Sequence, residues 1–312
     1  MVLLVDTLSK LYSKLENHHH DRQQSEADVL SASLQAFRSD VSNCLNQLLL
    51  NSKPGSEILS FSWIQQCFEL LPLINRAFAK LVVDIDYPMS SWEVASVDEY
   101  LNYGLHLLEL LNSVSSSLSH LAHARLSFAH ALTLVENSPS LAIKHLKAIQ
   151  PQSSSKDYKW QENKEDGDEK FSSCKEKVVN LALMEIKAIS FWVSGVVLAT
   201  LSGEAKPYLE IKQLIARFNS ALLNGVDSII SEVIVEKGEV LREVKDVNNA
   251  AASLASAMAS GESSSDAARE LERRLGVFEK QLEALEKEVD NLFSKVLAGR
   301  NELLHGVCQR KQ

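Results

Sequence analysis

The sequence predicts an all-α protein, an elongated multi-helix bundle with long antiparallel, coiled-coil-like helices. Three observations predict it. In nearly every stretch between turn signals, apolar residues recur at alternating three- and four-residue steps, which places them on one face of a helix. Hydrophobic residues make up 45% of the chain and charged ones 23%, a balance that suits a buried core and not a disordered chain. The 312 residues are enough to enclose such a core.

Residues 1–24 form an N-terminal segment open to a helical reading, and a single bundle domain is expected over 25–308. Ser25 with Asp28 resembles a capping box. Leu30, Leu34, Phe37, Val41, Cys44 and Leu48 then mark one helix face, and Lys53-Pro54-Gly55 ends the helix. From Leu59 to Pro88 apolar residues stand on nearly every side, Phe61, Trp63, Phe68, Ile74 and Phe78 among them, so this helix belongs at the centre of the bundle. Pro72 lies inside it and is expected to kink it, because proline lacks the backbone donor and crowds the preceding turn.

From about Val97 to Glu136 a third helix carries Leu107, Leu111, Val114, Leu118, Leu121, Phe128, Leu132 and Val135 on one seam, with Arg125 between Leu121 and Phe128. Asn137-Ser138-Pro139 ends it, and a short helix follows to about Ile149. Between Pro151 and Lys170 apolar content falls and charges of both signs accumulate, the composition of a solvated linker within the domain.

Beyond the linker a helix is expected from about Ser173 to Ser202. Another begins near Pro207, with Ile211, Ile215, Phe218, Leu222, Val226, Ile229 and Val233 as its buried face. The pattern resumes through Val244, Val247, Ala251, Leu254 and Met258, and Gly261-Glu262-Ser263-Ser264-Ser265 makes a hinge. The last helix has the cleanest repeat: Leu271, Leu275, Phe278, Leu282, Leu285, Val289, Leu292 and Val296, with Glu272, Glu279 and Glu286 flanking it at one heptad position. A bundle helix and a free coiled coil both satisfy this pattern, and the bundle is favoured.

Forty-one acidic against 32 basic residues give a net charge of -9, and no basic stripe offsets it, which argues against nucleic acid as a partner. Cys44, Cys67, Cys174 and Cys308 lie far apart and form no CxxC pair, as expected of thiols in a reducing, intracellular compartment. The stretch MVLLVDTLSKLYSKLEN holds Asp6 and Glu16 and reads poorly as a secretory signal or a transit peptide.

No phosphate-binding loop, nucleophile elbow or HExxH pair occurs, so no catalytic, cofactor-binding or metal residues are assigned and no cofactor is expected. His120, His123 and His130 share a helix face but lack a carboxylate from elsewhere, and they read as a polar edge. Asp84 and Asp86 read as a helix end entering a turn. Ser115-Ser116-Ser117 reads as a polar helix stretch open to phosphorylation. Arg125 on an apolar seam, with His123 nearby, is where a ligand pocket would form.

Ala188 to Gly203 contains no charge, which raises a membrane reading. Its helix length of about 24 Å falls short of the roughly 30 Å hydrocarbon core, and extension backwards meets Lys187 and Glu185. Gly195, Ala199 and Gly203 recur every fourth residue as a smooth strip for a close neighbour, with Phe191 and Trp192 covering other sides. A buried bundle helix is therefore favoured and membrane contact disfavoured.

The chain resembles the plant BYPASS family. The residues that carry the resemblance are Leu59-Ser60-Phe61-Ser62-Trp63, Pro88 with Trp92, Asp98-Glu99-Tyr100-Leu101, Leu107-Leu108-Glu109-Leu110-Leu111-Asn112, the stretch Ile189 to Gly203, and Lys287 to Leu304. The resemblance implies a helical protein without established enzymatic activity that supports root and shoot development by restraining a mobile, root-derived signal. It also implies a related branch linked to the exocyst, and a plastid address for some members.

Together these readings predict a non-catalytic regulatory or scaffold protein, cytoplasmic or endomembrane-associated with plastid as the family alternative. It would bind protein partners through helical surfaces, the heptads from Leu271 to Val296 being the first candidate. The alternatives are a membrane-peripheral trafficking factor using Ala188 to Gly203, and a small-molecule-binding or enzymatic bundle.

Overall fold

In the computed structural model, which describes residues 26–50, 58–151, 173–218, 220–238 and 241–310, the described residues form helices and turns without a strand. The α-helices are α1 (Glu26–Leu50), α2 (Phe61–Asp84), α3 (Val94–Leu134), α4 (Pro139–His145), α5 (Cys174–Ser202), α6 (Lys206–Ile215), α7 (Asn224–Ser231), α8 (Arg242–Ser260) and α9 (Ser265–Arg310). One hydrophobic cluster runs from Leu30 on α1 to Val296 on α9. The expected cap at Ser25, the stop at Lys53-Pro54-Gly55 and all of the linker but Pro151 lie outside the described residues.

Helix α5 lies at the centre, packed against α1, α2, α3 and α6. Its start is fixed by Ser173, whose hydroxyl accepts the Glu176 backbone N–H at 3.1 Å. Its end is fixed by Gly203 in the left-handed region at φ 71°, a conformation that glycine adopts without penalty. Gly203 is thus a helix cap and not part of the packing strip. Gly195 does serve close approach: a Cβ there would stand 3.1 Å from the Ile211 Cβ on α6. Phe191, Trp192 and Ala199 are all buried.

The charges that interrupt this apolar helix are neutralised by its neighbours. Lys187, 2% exposed, reaches Glu99 of α3 at 2.5 Å and lies 4.8 Å from the Phe218 ring centroid. Glu185 pairs with Arg38 of α1 at 2.7 Å. By length and composition α5 passes for a membrane span, with a mean hydropathy of 1.7, yet 89% of that window is covered by protein.

Helix α2 begins at Ser60, whose hydroxyl accepts the Trp63 N–H, and it runs unbroken through Pro72. Its buried aromatic rings join α3: Phe78 stacks on Tyr100 at 6.1 Å and meets Trp92 edge-on at 6.0 Å. Helix α9 places Leu271, Leu275, Phe278, Leu282, Leu285, Val289, Leu292 and Val296 in the core, where it packs on α3, α8 and α2. Phe278 meets Phe61 edge-on at 5.2 Å.

Two expectations are corrected. On α1 the core position belongs to Leu45, 1% exposed, while Cys44 is only partly buried, because the face drifts as the 3.6-residue period outruns a strict heptad. The single helix expected from Pro207 to Val233 is broken into α6, 3-10 turns at Ala216–Phe218 and Ala221–Leu223, α7, and a π turn at Glu232–Glu236. The break falls beside Asn219 and Ser220, weak helix formers, and it shifts the phase. Ile230 is therefore fully buried while Ile229 is 42% exposed. The same break brings Phe218 over Lys187.

Candidate functional site

An opening in the bundle lies where the α8–α9 turn meets the end of α3. Gly261 ends α8 in the left-handed region at φ 73°, the chain reverses through Glu262 to Ser264, and α9 sets out along α3. The cleft between them has a volume of about 910 Å³. Leu132, Val135 and Leu275 supply apolar lining, while Arg125, Glu136, Glu262, Arg269, Glu272 and Glu279 supply its charges.

Both guanidiniums already have partners. Arg125 pairs with Glu279 at 2.7 Å, and Arg269 pairs with Asp266 one turn before it on α9. Glu136, Glu262 and Glu272 have no cationic partner among the described residues, so the lining keeps an acidic excess. The hairpin that frames the cleft is pinned by Arg274, which reaches Asp246 of α8 at 2.8 Å and Glu270 on its own helix at 2.7 Å. Arg273 and Arg274 together hold the Glu270 carboxyl down at about 2, well below the usual carboxylate range.

This geometry divides the proposed C-terminal seam. Its eight apolar residues are inside the bundle and are not available to a partner in this fold, because α3, α8 and α2 already cover them. Glu272 and Glu279 line the cleft. Glu286, one heptad further on, lies outside it, and burial followed by repulsion from Glu283 and Asp290 pushes its carboxyl up.

The other sequence candidates do not converge. Arg125 lines the cleft and His123 does not: its ring nitrogen Nδ1 lies 2.9 Å from the Ser119 carbonyl oxygen. His120 approaches the Gln150 carbonyl, and His130 meets His145 edge-on at 4.9 Å. Among the described residues no three His, Cys, Asp or Glu side chains gather as a metal site. Asp84 ends α2, and burial pushes its carboxyl up, with Lys80 opposing; Asp86 sits in the following turn at φ 47°. Ser115 and Ser117 bond back to carbonyls one turn earlier in α3.

The sequence reading missed two carboxylates at helix starts. Glu176, fully buried in the first turn of α5, accepts from the Tyr87 hydroxyl at 2.6 Å, from the Ser96 hydroxyl, and from the Glu93 N–H at 3.4 Å at the start of α3. Glu243, in the first turn of α8, accepts the Phe61 N–H at the start of α2 at 3.2 Å. Each supplies negative charge where a helix exposes unpaired donors. The Ser173-x-x-Glu176 spacing was the available signal.

Protein BPS1, chloroplastic, of Arabidopsis thaliana is similar along nearly the whole chain: 26% of residues are identical over 313 aligned positions, covering 91% of this chain and 87% of that protein. The chain is thus similar to a BYPASS protein over most of its length. UPF0496 protein 4 of Oryza sativa, in both the indica and japonica subspecies, is 26% identical over 232 positions. Those positions cover 67% of this chain and 50% of the rice proteins. No family model matches the chain, and no solved structure matches it. The blocks that carried the BYPASS resemblance in the sequence fall on α2, the turn that follows it, α3, α5 and α9, and the segments around the cleft lie outside them.

Proposed function

We propose that this protein is a non-catalytic scaffold in plant growth regulation, acting on protein partners through the helical surface around the cleft. The observation that carries the reading is the likeness to Protein BPS1, which extends over 91% of this chain and not over one shared segment. The cleft supports a binding role: its lining sets apolar side chains beside carboxylates, hydroxyls and guanidiniums, the mixture that a docked protein segment would meet.

The finer role follows from the BYPASS resemblance: restraint of a mobile root-derived signal that arrests the shoot. The name of the Arabidopsis relative carries the word chloroplastic, so the plastid joins the cytoplasm and endomembranes as a compartment for this chain. Expression of the full chain in Arabidopsis lacking BPS1 tests the role. Restored shoot growth on roots that express it supports the reading, whereas stable expression without any restoration contradicts it. A fluorescent fusion in the same plants reports the compartment.

A further inference from the structure

The cleft at the α8–α9 turn joins two properties. Its apolar lining, Leu132, Val135 and Leu275, lies beside the carboxylates of Glu136, Glu262 and Glu272, which have no cationic partner among the described residues. At about 910 Å³ and open to one side, it would leave much of a small solute exposed to water where a small-molecule site encloses its ligand, and it suits an extended or helical segment laid across it.

We propose that this cleft docks a basic amphipathic segment of a partner protein, whose apolar side chains sit on the half-buried Leu132 and Val135 and whose lysines or arginines meet the three glutamates. The inference rests on the scaffold reading above and adds the chemistry of the partner. Charge complementarity carries the choice of occupant: the lining holds four carboxylates against two guanidiniums, both guanidiniums are already paired, and an acidic or phosphorylated partner would meet net repulsion. Arg125 has a positioning role. Its pair with Glu279 ties α3 to α9 across one wall and withdraws one carboxylate from the acidic set, leaving the other three to face the segment.

The test uses the full chain and a fluorescein-labelled leucine–lysine peptide with its leucines at helical spacing. A second peptide has the same composition in strictly alternating order, so it carries equal charge without the helical face. The expected result is saturable binding of the first peptide and weaker binding of the second. Replacing Glu136, Glu262 and Glu272 together by glutamine should weaken the first by about tenfold. Replacing exposed Glu283 and Asp290, on α9 but outside the cleft, should leave it unchanged. Equal binding of both peptides, or equal losses from the two sets of substitutions, would overturn the proposal by showing attraction to overall negative charge. Hydrogen exchange gives a second reading, with protection expected in 125–137 and 262–279; protection elsewhere alone also overturns it. Failure here with successful rescue in plants would remove the cleft and leave the scaffold reading standing.

Discussion

The Glu176 carboxylate lies 2.6 Å from the Tyr87 hydroxyl, with no solvent exposure, at the point where α3 and α5 both begin. A single side chain there serves Tyr87, Ser96 and the α3 backbone, while its own N–H is held by Ser173. Replacing it leaves several buried donors unpaired. Glu176→Ala is expected to cost about 2–4 kcal/mol, read as a lower urea midpoint with an unchanged slope. A change under about 0.5 kcal/mol would show that water replaces the carboxylate without loss.

Glu270 makes a pH prediction. Its folded pKa, about 2, lies below the usual 4.5 because Arg273 and Arg274 bond to it. A depressed carboxyl contributes stability above its unfolded pKa and loses it as pH falls through the folded one. The difference between Glu270→Gln and the unaltered chain should therefore be present at neutral pH and fade between about 4.5 and about 2. Urea midpoints across that range check it, and a difference that grows on acidification would reverse the sign.

Two glycines predict opposite responses to the same substitution. At Gly195 an added Cβ meets three Ile211 atoms at 3.1 to 3.3 Å, so Gly195→Ala should destabilise by about 1–3 kcal/mol. At Gly276, on α9, it meets nothing within 4 Å, so Gly276→Ala should stabilise by up to about 1 kcal/mol through helix propensity. Thermal melts of both variants decide the matter, and equal shifts of one sign would contradict the close packing of α5 on α6.

Lys187 distinguishes a buried pair from a membrane-facing charge. Lys187→Ala should cost about 3 kcal/mol, because it opens a cavity and strips Glu99 of its partner, while Lys187→Met should recover much of that by filling the space. If both variants behaved like the unaltered chain in denaturant, the Lys187–Glu99 contact would contribute nothing to the fold.

Most of the fold was legible because it is written in helical periodicity. All eight α9 heptad residues are buried, and Ser173 and Pro207 mark helix starts as expected. Phase was less legible. On α1 a one-residue drift moved the core from Cys44 to Leu45, and in α6–α7 two 3-10 turns moved it from Ile229 to Ile230. A periodic reading assumes constant geometry, and a short break such as the one at Ser220 costs too little to announce itself. The cleft was legible only through Arg125, since a cavity arises from how α3, α9 and the turn before α9 meet and not from any one of them.

The most direct test of the account is hydrogen exchange on the full chain in buffer without detergent or lipid. The account makes α5 the buried centre of a self-contained bundle, so the amides from Val179 to Leu201 should exchange last, through global unfolding, and liposomes should leave them unchanged. Rapid exchange of those amides in buffer, with protection appearing only when lipid is added, would contradict it and return α5 to the bilayer.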